Sequence, residues 1–528
     1  MTSFNLADLF EQAVDEWPDR LYIIDEAHRR TYREIDDRAN QLAHYLATQG
    51  VGPGSHVGIY ALNRVEWVET LWAVFKLRAV WININYRYVE DELVYLFNDA
   101  GLDYLVVEPE FVDRATAAAP DLKRLVIGDD FEAAIAEHSP ARDFAPRSGD
   151  DRYVLFTGGT TGMPKGVVWR HEDVLMALGG GIDIRTGDRM NTPEDFLVKG
   201  RNGFQLTALP IAPLMHGATQ WSVMGQSFVG NTTVLRSKFD AADAWQTVEK
   251  EKVNLLMITG DAMARPLLDA FDNATTPYDL SSMFAISSSA VLFSQTCKDQ
   301  FLDRLPNLVI TDAIGSSESG ANGITMVSRG TTMAGGPTVT AARDTAVLDD
   351  DLRPLPAGSS AIGRLARSGN LPIGYHNDPV KTAATFVTGA DGVRYAMPGD
   401  YARIESDGSI TLLGRGSVSI NTGGEKVFPE EVENALKGHP QVFDAVVVGL
   451  PDERWGQRVT AVVQPRDVEH PPTIGSIQAH CRNHIAGYKV PKTLVLVDEM
   501  LRSPSGKSDY RWALAQAVQQ VVEPQPTA

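Results

Sequence analysis

The stretch TGGTTGMPKG at residues 157–166 follows the apolar run YVLF at 153–156 and places four glycines, three threonines and Lys165 within ten residues. Glycines permit tight turns that bring backbone N–H groups against an anion, while threonine hydroxyls and a lysine add donors and positive charge. We therefore predict a strand that leads into an irregular phosphate-binding loop. The residues expected to hold phosphate are Thr157, Gly158, Gly159, Thr160, Thr161, Gly162 and Lys165.

This loop differs from the Walker A motif of P-loop NTPases. Lys165 is followed by Gly166, where that motif has Ser or Thr, and Pro164 precedes it. The difference disfavours a kinase or GTPase type of site. A plain glycine-rich surface turn is the alternative interpretation of the stretch.

Length and charge limit the classes of function. The chain has 528 residues, 43% of them hydrophobic, and a formal net charge of −20 at pH 7. Because this length exceeds what one hydrophobic core normally supports, we expect at least two domains. The negative charge argues against a nucleic-acid surface and gives no attraction to anionic lipid, which favours small or apolar ligands. Assembly into a homodimer stays open.

The N-terminus and the cysteines indicate the compartment. Residues 1–20 lack the basic segment of a signal peptide and space their apolar side chains as in a helix, with Asn5 or Ser3 as its N-cap. No apolar stretch approaches the ~20 residues that cross a bilayer. Cys297 and Cys481 are the only cysteines and lack metal-binding spacing. We expect a cytoplasmic protein without a transmembrane segment, disulfide or zinc site.

Apolar runs such as HVGIYAL and YLVVE alternate with helical stretches such as EWVETLWAVFKL and EDELVYLFNDA. The alternation predicts an α/β fold with layered, largely parallel sheets and helices. The polar segment 183–203 is expected to cross the surface as a loop. After Gly414, an extended VSINT, a helix opened by Pro429 and strands FDAVVVG and RVTAVVQ predict a small α+β unit.

The 157–166 loop resembles the signature loop of the acyl-adenylate-forming enzymes, which include acyl-CoA synthetases, firefly-type luciferases and the adenylation domains of peptide synthetases. The resemblance covers nearly the whole chain, with the motifs in the family's order. It implies ATP and coenzyme A as co-substrates and Mg²⁺ as a cofactor. It also implies a large N-terminal domain over residues 1–414 and a small mobile domain over 415–528 that swings between two half-reactions.

The segment GSSES at 315–319 follows a predicted strand and resembles the family's G-x-T-E motif, with Ser317 in place of Thr. We expect Glu318 to supply a hard oxygen ligand to Mg²⁺ on the ATP phosphates, and a solvated loop glutamate is the alternative. Ile314 stands where the family stacks adenine on an aromatic ring, so aliphatic packing is expected there. The resemblance assigns the adenine pocket to Ser287, Ser288, Ser289, Ala290 and Asp312.

Three further motifs complete the nucleotide and CoA sites that the resemblance implies. Asp400, in PGDYARI, matches the aspartate that accepts both ribose hydroxyls, and an exposed turn aspartate is the alternative. Arg415, in LLGRGS, matches the arginine beside the ribose and α-phosphate. The family pivots its small domain two positions later, where Ser417 replaces the usual charged residue. The CoA tunnel would be lined by Gly423, Gly424 and Lys426.

Lys507, in SPSGKSDYRW, resembles the lysine that meets the substrate carboxylate and the α-phosphate during adenylation, and a surface lysine is the ordinary alternative. His216, in PLMHG, falls where the family gates its acyl pocket, and a structural histidine is the alternative. The predicted catalytic residues are Lys507, Glu318, Thr161 and His216.

These residues together predict an ATP-dependent acid:CoA ligase. It would form an acyl-AMP and pyrophosphate before the CoA thiol displaces AMP, by orientation and charge stabilisation without a covalent nucleophile. Three alternatives stay open. They are an adenylating enzyme that loads a separate carrier protein, a luciferase-like oxidative fate of the adenylate, and a non-catalytic nucleotide or lipid binder.

Stretches such as GRGSVSINTGGEKVFPEEVENALKGHP resemble an actinobacterial branch of acyl-CoA synthetases that activate fatty acids and steroid side-chain carboxylates. Small residues at 179–181, 218 and 287–290 would leave room for a bulky apolar acid if they line the acyl tunnel, with Met215, Trp221 and Met224 packed against it. Alternatively, the glycines at 179–181 close a helix and the tunnel is narrow. We predict a long-chain or steroid side-chain acid, with a smaller or aromatic acid as the alternative.

Overall fold

A computed structural model describes residues 4–159, 162–183, 186–289, 291, 293–331, 338–422, 425–452, 455–502 and 506–521. Five residues predicted to bind phosphate, adenine or CoA lie outside these ranges, namely Thr160, Thr161, Ala290, Gly423 and Gly424. Of Lys426 and Ser417 only the backbone is described.

The helices are α1 Leu6–Glu16, α2 Tyr32–Thr48, α3 Val65–Lys76, α4 Glu90–Ala100, α5 Val112–Ala118, α6 Asp129–Ala136, α7 His171–Leu178, α8 Glu194–Asn202, α9 Gly217–Ser227, α10 Ala241–Glu251, α11 Gly260–Asp272, α12 Gln295–Arg304, α13 Pro379–Thr385, α14 Pro429–Lys437, α15 Ile474–Arg482 and α16 Tyr510–Val521. Short 3-10 helices lie at Pro109–Phe111 and Gly416–Val418.

The strands are β1 Leu21–Ile24, β2 Arg29–Thr31, β3 His56–Tyr60, β4 Val80–Asn83, β5 Tyr104–Val107, β6 Arg124–Val126, β7 Arg152–Gly159, β8 Gly162–Arg170, β9 Thr207–Pro210, β10 Thr232–Val234, β11 Leu255–Ile258, β12 Ala285–Ser289, β13 Val309–Ser316, β14 Gly320–Val327, β15 Thr338–Ala341, β16 Thr345–Leu348, β17 Gly363–Arg367, β18 Gly374–Tyr375, β19 Phe386–Thr388, β20 Arg394–Ala396, β21 Asp400–Ile404, β22 Ile410–Arg415, β23 Ile420–Thr422, β24 Glu425–Val427, β25 Val442–Asp452, β26 Gly456–Pro465 and β27 Thr493–Leu496.

In the described part of the chain these strands form three sheets. The largest has the order β19-β20-β17-β21-β22-β15-β14-β13-β12-β11-β9-β10-β1-β2, the second β18-β8-β7-β4-β3-β5-β6, and the third β24-β23-β26-β25 with β27 beside β26. Neighbours such as β11 and β12, or β3 and β4, pair in parallel, whereas β13 with β14 and β7 with β8 are antiparallel. The predicted α/β class is therefore confirmed, but the largest sheet is mixed. Its strands β1, β10, β9, β11, β12 and β13 pair in parallel, whereas the run from β13 through β14, β15, β22, β21, β17 and β20 to β19 is antiparallel.

The first helix shows how the local sequence sets an element. Asn5 caps α1 by accepting hydrogen bonds from the backbone N–H groups of Ala7 and Asp8. The apolar side chains that the helical spacing predicted are all buried against the core, namely Leu6, Leu9, Phe10, Ala13 and Val14. The predicted helix and its Asn5 cap are thus both confirmed.

Two local predictions are corrected, and one stated alternative is supported. The stretch 157–166 lies mostly in a β-hairpin, because β7 and β8 continue their pairing to Gly159 and Gly162. The segment 183–203 contains α8, whose Phe196 and Leu197 are buried in the core, so it is not only a loop. The glycines at 179–181 close α7, because Gly179 is its C-cap and Gly180 has a φ of 84°, a value that favours glycine.

The strands from β23 onward form the third sheet, a small unit near the C-terminus, and the strands up to β22 form the other two sheets, which together with their helices are the large unit. Strand β22 still belongs to the largest sheet, whereas β23 begins the third sheet after the 3-10 helix Gly416–Val418. This unit has its own buried apolar cluster, which includes Val432, Leu436, Val447 and Val463. None of the helices in the described ranges combines the length and the apolar composition that a membrane crossing requires.

Candidate active site

A buried asparagine holds the strand β7 of the β7–β8 hairpin, which carries the predicted phosphate-binding residues and is named the phosphate hairpin. Asn83, at the end of β4, accepts a 2.8 Å hydrogen bond from the Phe156 N–H and donates to the carbonyls of Phe156 and Met215 at 2.8 and 2.7 Å. It therefore ties β7 to the PLMHG loop that carries His216. Asn83 is not among the residues predicted from the sequence, although an amide that ends an apolar strand must find hydrogen-bond partners when buried and could have been recognised by that.

Lys165, in β8, lies where the phosphate prediction placed a cation. Its Nζ is 2.8 Å from Oδ2 of Asp378, and this ion pair lowers the pKa of the Asp378 carboxyl. Strand β18 pairs with β8 and brings residue 378 to the hairpin, while the His376 N–H donates to the Gly166 carbonyl at 2.7 Å. Asp378 thus forms a charge-assisted hydrogen bond with the lysine that the sequence predicts as a phosphate ligand.

Asp378 also starts a helix. Its side chain accepts a 2.9 Å hydrogen bond from the Lys381 N–H and caps α13, which begins at Pro379. The Asp-Pro pair is a readable helix-start signal. The ion pair with Lys165 cannot be predicted from the sequence, because 213 positions separate the two residues.

Glu318 lies in the tight connection between β13 and β14, where Ser316 pairs with Gly320. Its backbone N–H donates to Oγ of Ser316 at 3.2 Å, and its Oε1 accepts a 2.9 Å hydrogen bond from the phenol of Tyr375. Burial raises the pKa of Tyr375, and the nearby Glu318 charge raises it further. Tyr375 belongs to β18, beside the phosphate hairpin, so Glu318 points toward the side of the site where Lys165 lies.

The ribose and α-phosphate residues predicted from sequence are neighbours. Asp400 and Arg415 are directly paired in β21 and β22, and Nε of Arg415 is 3.3 Å from Oδ1 of Asp400. The Arg415 N–H also approaches Oε1 of Glu430 at 3.5 Å. Gly414 has a φ of 118°, a backbone conformation that favours glycine, and a Cβ atom there would also crowd the Glu430 carboxylate.

Lys507 comes from the small unit and lies within electrostatic reach of the other site residues. Its side chain is exposed, but the surrounding protein lowers its pKa by desolvation and then by the like charge of Arg415, while Glu318 and Asp400 act in the opposite direction. Four charged side chains that separate motifs had suggested, Lys507, Arg415, Glu318 and Asp400, therefore lie within range of one another's charges.

The preceding glycine makes the contact with the large unit. Gly506 has a φ of 76°, and a Cβ atom there would lie 2.8 Å from the Cβ of Ala262 in α11. Glycine thus satisfies both the left-handed backbone and the close approach. This packing holds the Lys507 backbone against the large unit.

His216 immediately precedes α9. Among the described residues its Nε2 has no hydrogen-bond partner. Burial, together with the charges of Lys507 and Arg87, lowers the pKa of His216 to about 3. His216 is therefore a neutral imidazole at physiological pH, close to Lys507 and with an unsatisfied ring nitrogen.

The predicted adenine residues fall on two adjacent strands. Ser288 and Asp312 are register partners in β12 and β13. The Ser288 hydroxyl is buried and accepts a 3.0 Å hydrogen bond from the Gly260 N–H, so it holds the start of α11. Asp312 pairs with Lys298 at 2.7 Å, and burial raises the pKa of its carboxyl against the effect of that lysine. Ser287 and Ser289 are partly exposed.

Two family models and several curated relatives match the chain. Residues 10–373 match the family model described as AMP-binding enzyme, and residues 431–507 match the AMP-binding enzyme C-terminal domain. A 3-oxocholest-4-en-26-oate–CoA ligase of Rhodococcus rhodochrous is 50% identical, over 97% of this chain and 95% of the relative. A medium/long-chain-fatty-acid–CoA/3-oxocholest-4-en-26-oate–CoA ligase of Mycolicibacterium smegmatis is 49% identical, over 97% and 96%.

A solved structure shares the fold. The anthranilate CoA ligase AuaEII in complex with anthranoyl-AMP has a TM-score of 0.85 and covers 99% of this chain and 98% of its own. Its sequence identity is 23%, so the likeness concerns the architecture alone.

Proposed function

The chain belongs to the AMP-binding enzyme family, and from this premise we propose that it is an ATP-dependent ligase that converts a carboxylic acid to its acyl-CoA thioester through an acyl-AMP. The observation that carries the proposal is that Gly506 packs against Ala262 of the large unit, which holds the neighbouring Lys507 within electrostatic reach of Arg415, Glu318 and Asp400. A protein that only stored a nucleotide would not need a lysine delivered to the α-phosphate position.

The first half-reaction joins the acid carboxylate to the α-phosphate and releases pyrophosphate. In the proposed mechanism Lys165 leaves Asp378 and binds the β- and γ-phosphates, while Asp400 accepts the ribose hydroxyls. Arg415 and Lys507 offer positive charge where negative charge develops on the α-phosphate. These groups orient the two reactants and stabilise the developing charge, and the mechanism uses none of them as a nucleophile.

Glu318 and the triphosphate would hold Mg²⁺ in this mechanism. The donor set fits the ion, because Mg²⁺ prefers carboxylate and phosphate oxygens and Glu318 places a carboxylate in the nucleotide cleft. When bound, the ion neutralises phosphate charge. Thr161 and Ser317 remain proposed neighbours of the phosphates, with the adenine assigned to the surface of β12 and β13 near Ser289 and Asp312.

The second half-reaction requires the CoA thiol to reach the adenylate. We propose that residues 415–528 then rotate about Ser417 relative to residues 1–414, which withdraws Lys507 and admits the segment with Gly423, Gly424 and Lys426. Glycines in that segment would allow close approach of the pantetheine arm. We also propose a cytoplasmic location. We further propose a homodimer, which light scattering tests by the molar mass in solution.

The acid is proposed to be a long-chain fatty acid or a steroid side-chain carboxylate. The support is the sequence identity of about 50% with ligases named for such acids, over nearly the full length of both chains. Helix α9 follows His216, and its apolar side chains Trp221, Val223 and Met224 are buried. If the acid binds next to this helix, a long apolar acid gains binding free energy by burying its hydrocarbon surface, whereas acetate has almost none to bury.

An acid panel tests both levels of the proposal. Acetate, octanoate, palmitate, benzoate and a cholesterol-derived side-chain acid are compared by kcat/KM for CoA-thioester formation, and pyrophosphate release is followed with and without CoA. Palmitate or the sterol-derived acid should lead. A preference for acetate or benzoate would refute the substrate class, release without thioester would indicate a carrier-protein acceptor, and no release with any acid would refute the ligase itself.

A further inference from the structure

One guanidinium group contacts both sides of the Lys507 position. Nη1 of Arg502 donates to the carbonyl of Gly506 at 2.9 Å and to Oγ of Ser508 at 3.2 Å. Arg502 and Ser508 also pair as an isolated antiparallel bridge. The residue before Lys507 and the residue after it are therefore bound to the same nitrogen atom, which limits how far the backbone of residue 507 can shift.

Arg502 is itself held from behind by Asp444. Nε and Nη2 of Arg502 donate to the two carboxylate oxygens of Asp444 at 2.5 and 2.7 Å, a planar two-point contact that a lysine cannot make. Lys437 adds a second cation at 3.4 Å from Asp444. Although burial acts to raise the pKa of Asp444, Lys437 and Arg502 hold it well below its usual range. Asp444 is therefore an ionised carboxylate that holds the arginine in place.

The same support touches the large unit. Nη2 of Arg265, in α11, donates to the Lys437 carbonyl at 3.3 Å and is 3.3 Å from Asp261. Gly506 packs against Ala262 in the same helix. Helix α11 thus contacts both the lysine segment and the residues that hold Arg502, so the position of Arg502 is defined relative to the nucleotide site of the large unit.

We propose that Arg502, fixed by Asp444, is the positioning residue that sets Lys507 for adenylation. The proposal deepens the ligase function and rests on it, because only the acid–α-phosphate step uses Lys507. Arg502 does not contact the reactants. Its effect passes through the backbone of residues 506 and 508, and it should matter in the first half-reaction and not in the second, when Lys507 has left.

Two variants test this role. Arg502→Lys keeps the charge but loses the planar fork, and Ser508→Ala removes only one of the two contacts beside Lys507. Since a displacement of about 1 Å in a site can cost about 100-fold, we expect Arg502→Lys to lower acyl-AMP formation by roughly that factor. Ser508→Ala should lower it by about 5-fold, the cost of one hydrogen bond. Conversion of supplied acyl-AMP to thioester should stay within about 2-fold of wild type.

The matched control is Val459→Ala, which opens the buried core of the same small unit at the strand partner of Gly449, five positions along β25 from Asp444. It should lower Tm and leave both half-reactions of the folded enzyme unchanged. If Arg502→Lys and Ser508→Ala also lower Tm but slow neither half-reaction, or slow both equally, Arg502 is merely structural and the proposal fails. If Arg502→Lys does not fold, Ser508→Ala alone decides by the same criterion.

A double-mutant cycle separates positioning from an independent effect. In the Lys507→Ala background, Arg502→Lys should cause no further loss of acyl-AMP formation, because the group it positions is gone. A further loss of the same size would overturn the proposal. Wild-type pyrophosphate release is measured first, so failure of the ligase function is seen as no release at all, whereas failure of the positioning role leaves that activity intact.

Discussion

The phenol of Tyr375 donates a 2.9 Å hydrogen bond to Oε1 of Glu318, although 57 positions separate the two residues. Tyr375 is buried, and its backbone N–H donates to the Thr382 hydroxyl at 2.9 Å, so the ring has little freedom. Nζ of Lys381 lies 5.1 Å from the centroid of the same ring. The strand beside the phosphate hairpin therefore also orients the carboxylate assigned to Mg²⁺.

We expect Tyr375→Phe to lower acyl-AMP formation by about 10-fold, because a hydrogen bond to a charged group contributes about 1.5 kcal/mol or more. The Mg²⁺ concentration for half-maximal rate should rise, and Mn²⁺ affinity measured by EPR should fall in parallel. Tyr395→Phe is the control, since its phenol bonds to Asp391 away from the site. Equal losses from Tyr375→Phe in the wild-type and Glu318→Gln backgrounds would contradict the link.

Asp378→Asn should lower the Kd of ATP by up to about 5-fold. The variant still caps α13, but Lys165 no longer has to leave an anion before it binds phosphate, and partly exposed ion pairs of this kind contribute up to about 1 kcal/mol. Calorimetric titration with a non-hydrolysable ATP analogue measures the change. Asp407→Asn, in an exposed turn, controls for the loss of one negative charge. Weaker binding by Asp378→Asn would mean that Asp378 helps to orient Lys165 for the nucleotide.

Lys507→Ala should lower acyl-AMP formation by about 100-fold or more and largely spare thioester formation from supplied acyl-AMP. Because the pKa of Lys507 is lowered, the rate of the first half-reaction in wild type should fall as pH rises, with a midpoint below the usual 10.5 of lysine. Lys507→Arg keeps its charge and should lose this alkaline fall. Lys250→Ala, at an exposed position, serves as the control. An equal loss in both half-reactions would argue against the assigned role.

Glu430 should make the folded state less stable as pH rises. Burial and the Glu433 charge raise the pKa of Glu430 above its usual 4.5, so folding takes up a proton between that value and the raised one. This contribution is fully present below about pH 4.5 and is lost as pH rises through the raised pKa. We expect Glu430→Gln to flatten the decline in the free energy of unfolding from pH 5 to 8, measured by urea titration. The exposed Glu469→Gln should follow wild type, and parallel curves for all three proteins would contradict the expectation.

Motifs with local causes could be predicted from the sequence. Asn5 caps α1 and Pro429 opens α14 because capping and proline geometry act within one turn of helix. The alternation of apolar strands and helices likewise fixed the α/β class. Where a prediction failed locally, at 157–166, strand pairing between β7 and β8 extended further than the glycine content suggested, since backbone hydrogen bonding across a hairpin offsets the low strand propensity of glycine.

The sequence by itself determined the chemistry available, because Lys165, Glu318, Asp400, Arg415 and Lys507 each stand in a recognisable motif. It did not determine which groups hold them. Three contacts depend on strand order and on packing, which join residues far apart in the chain or separated by a loop. They are the hydrogen bond of Tyr375 to Glu318, the ion pair of Asp378 with Lys165, and the hydrogen bond of Arg502 to Gly506 beside Lys507. Hydrogen bonds and ion pairs act over about 3 Å, so only the tertiary structure, which sets such distances, decides them.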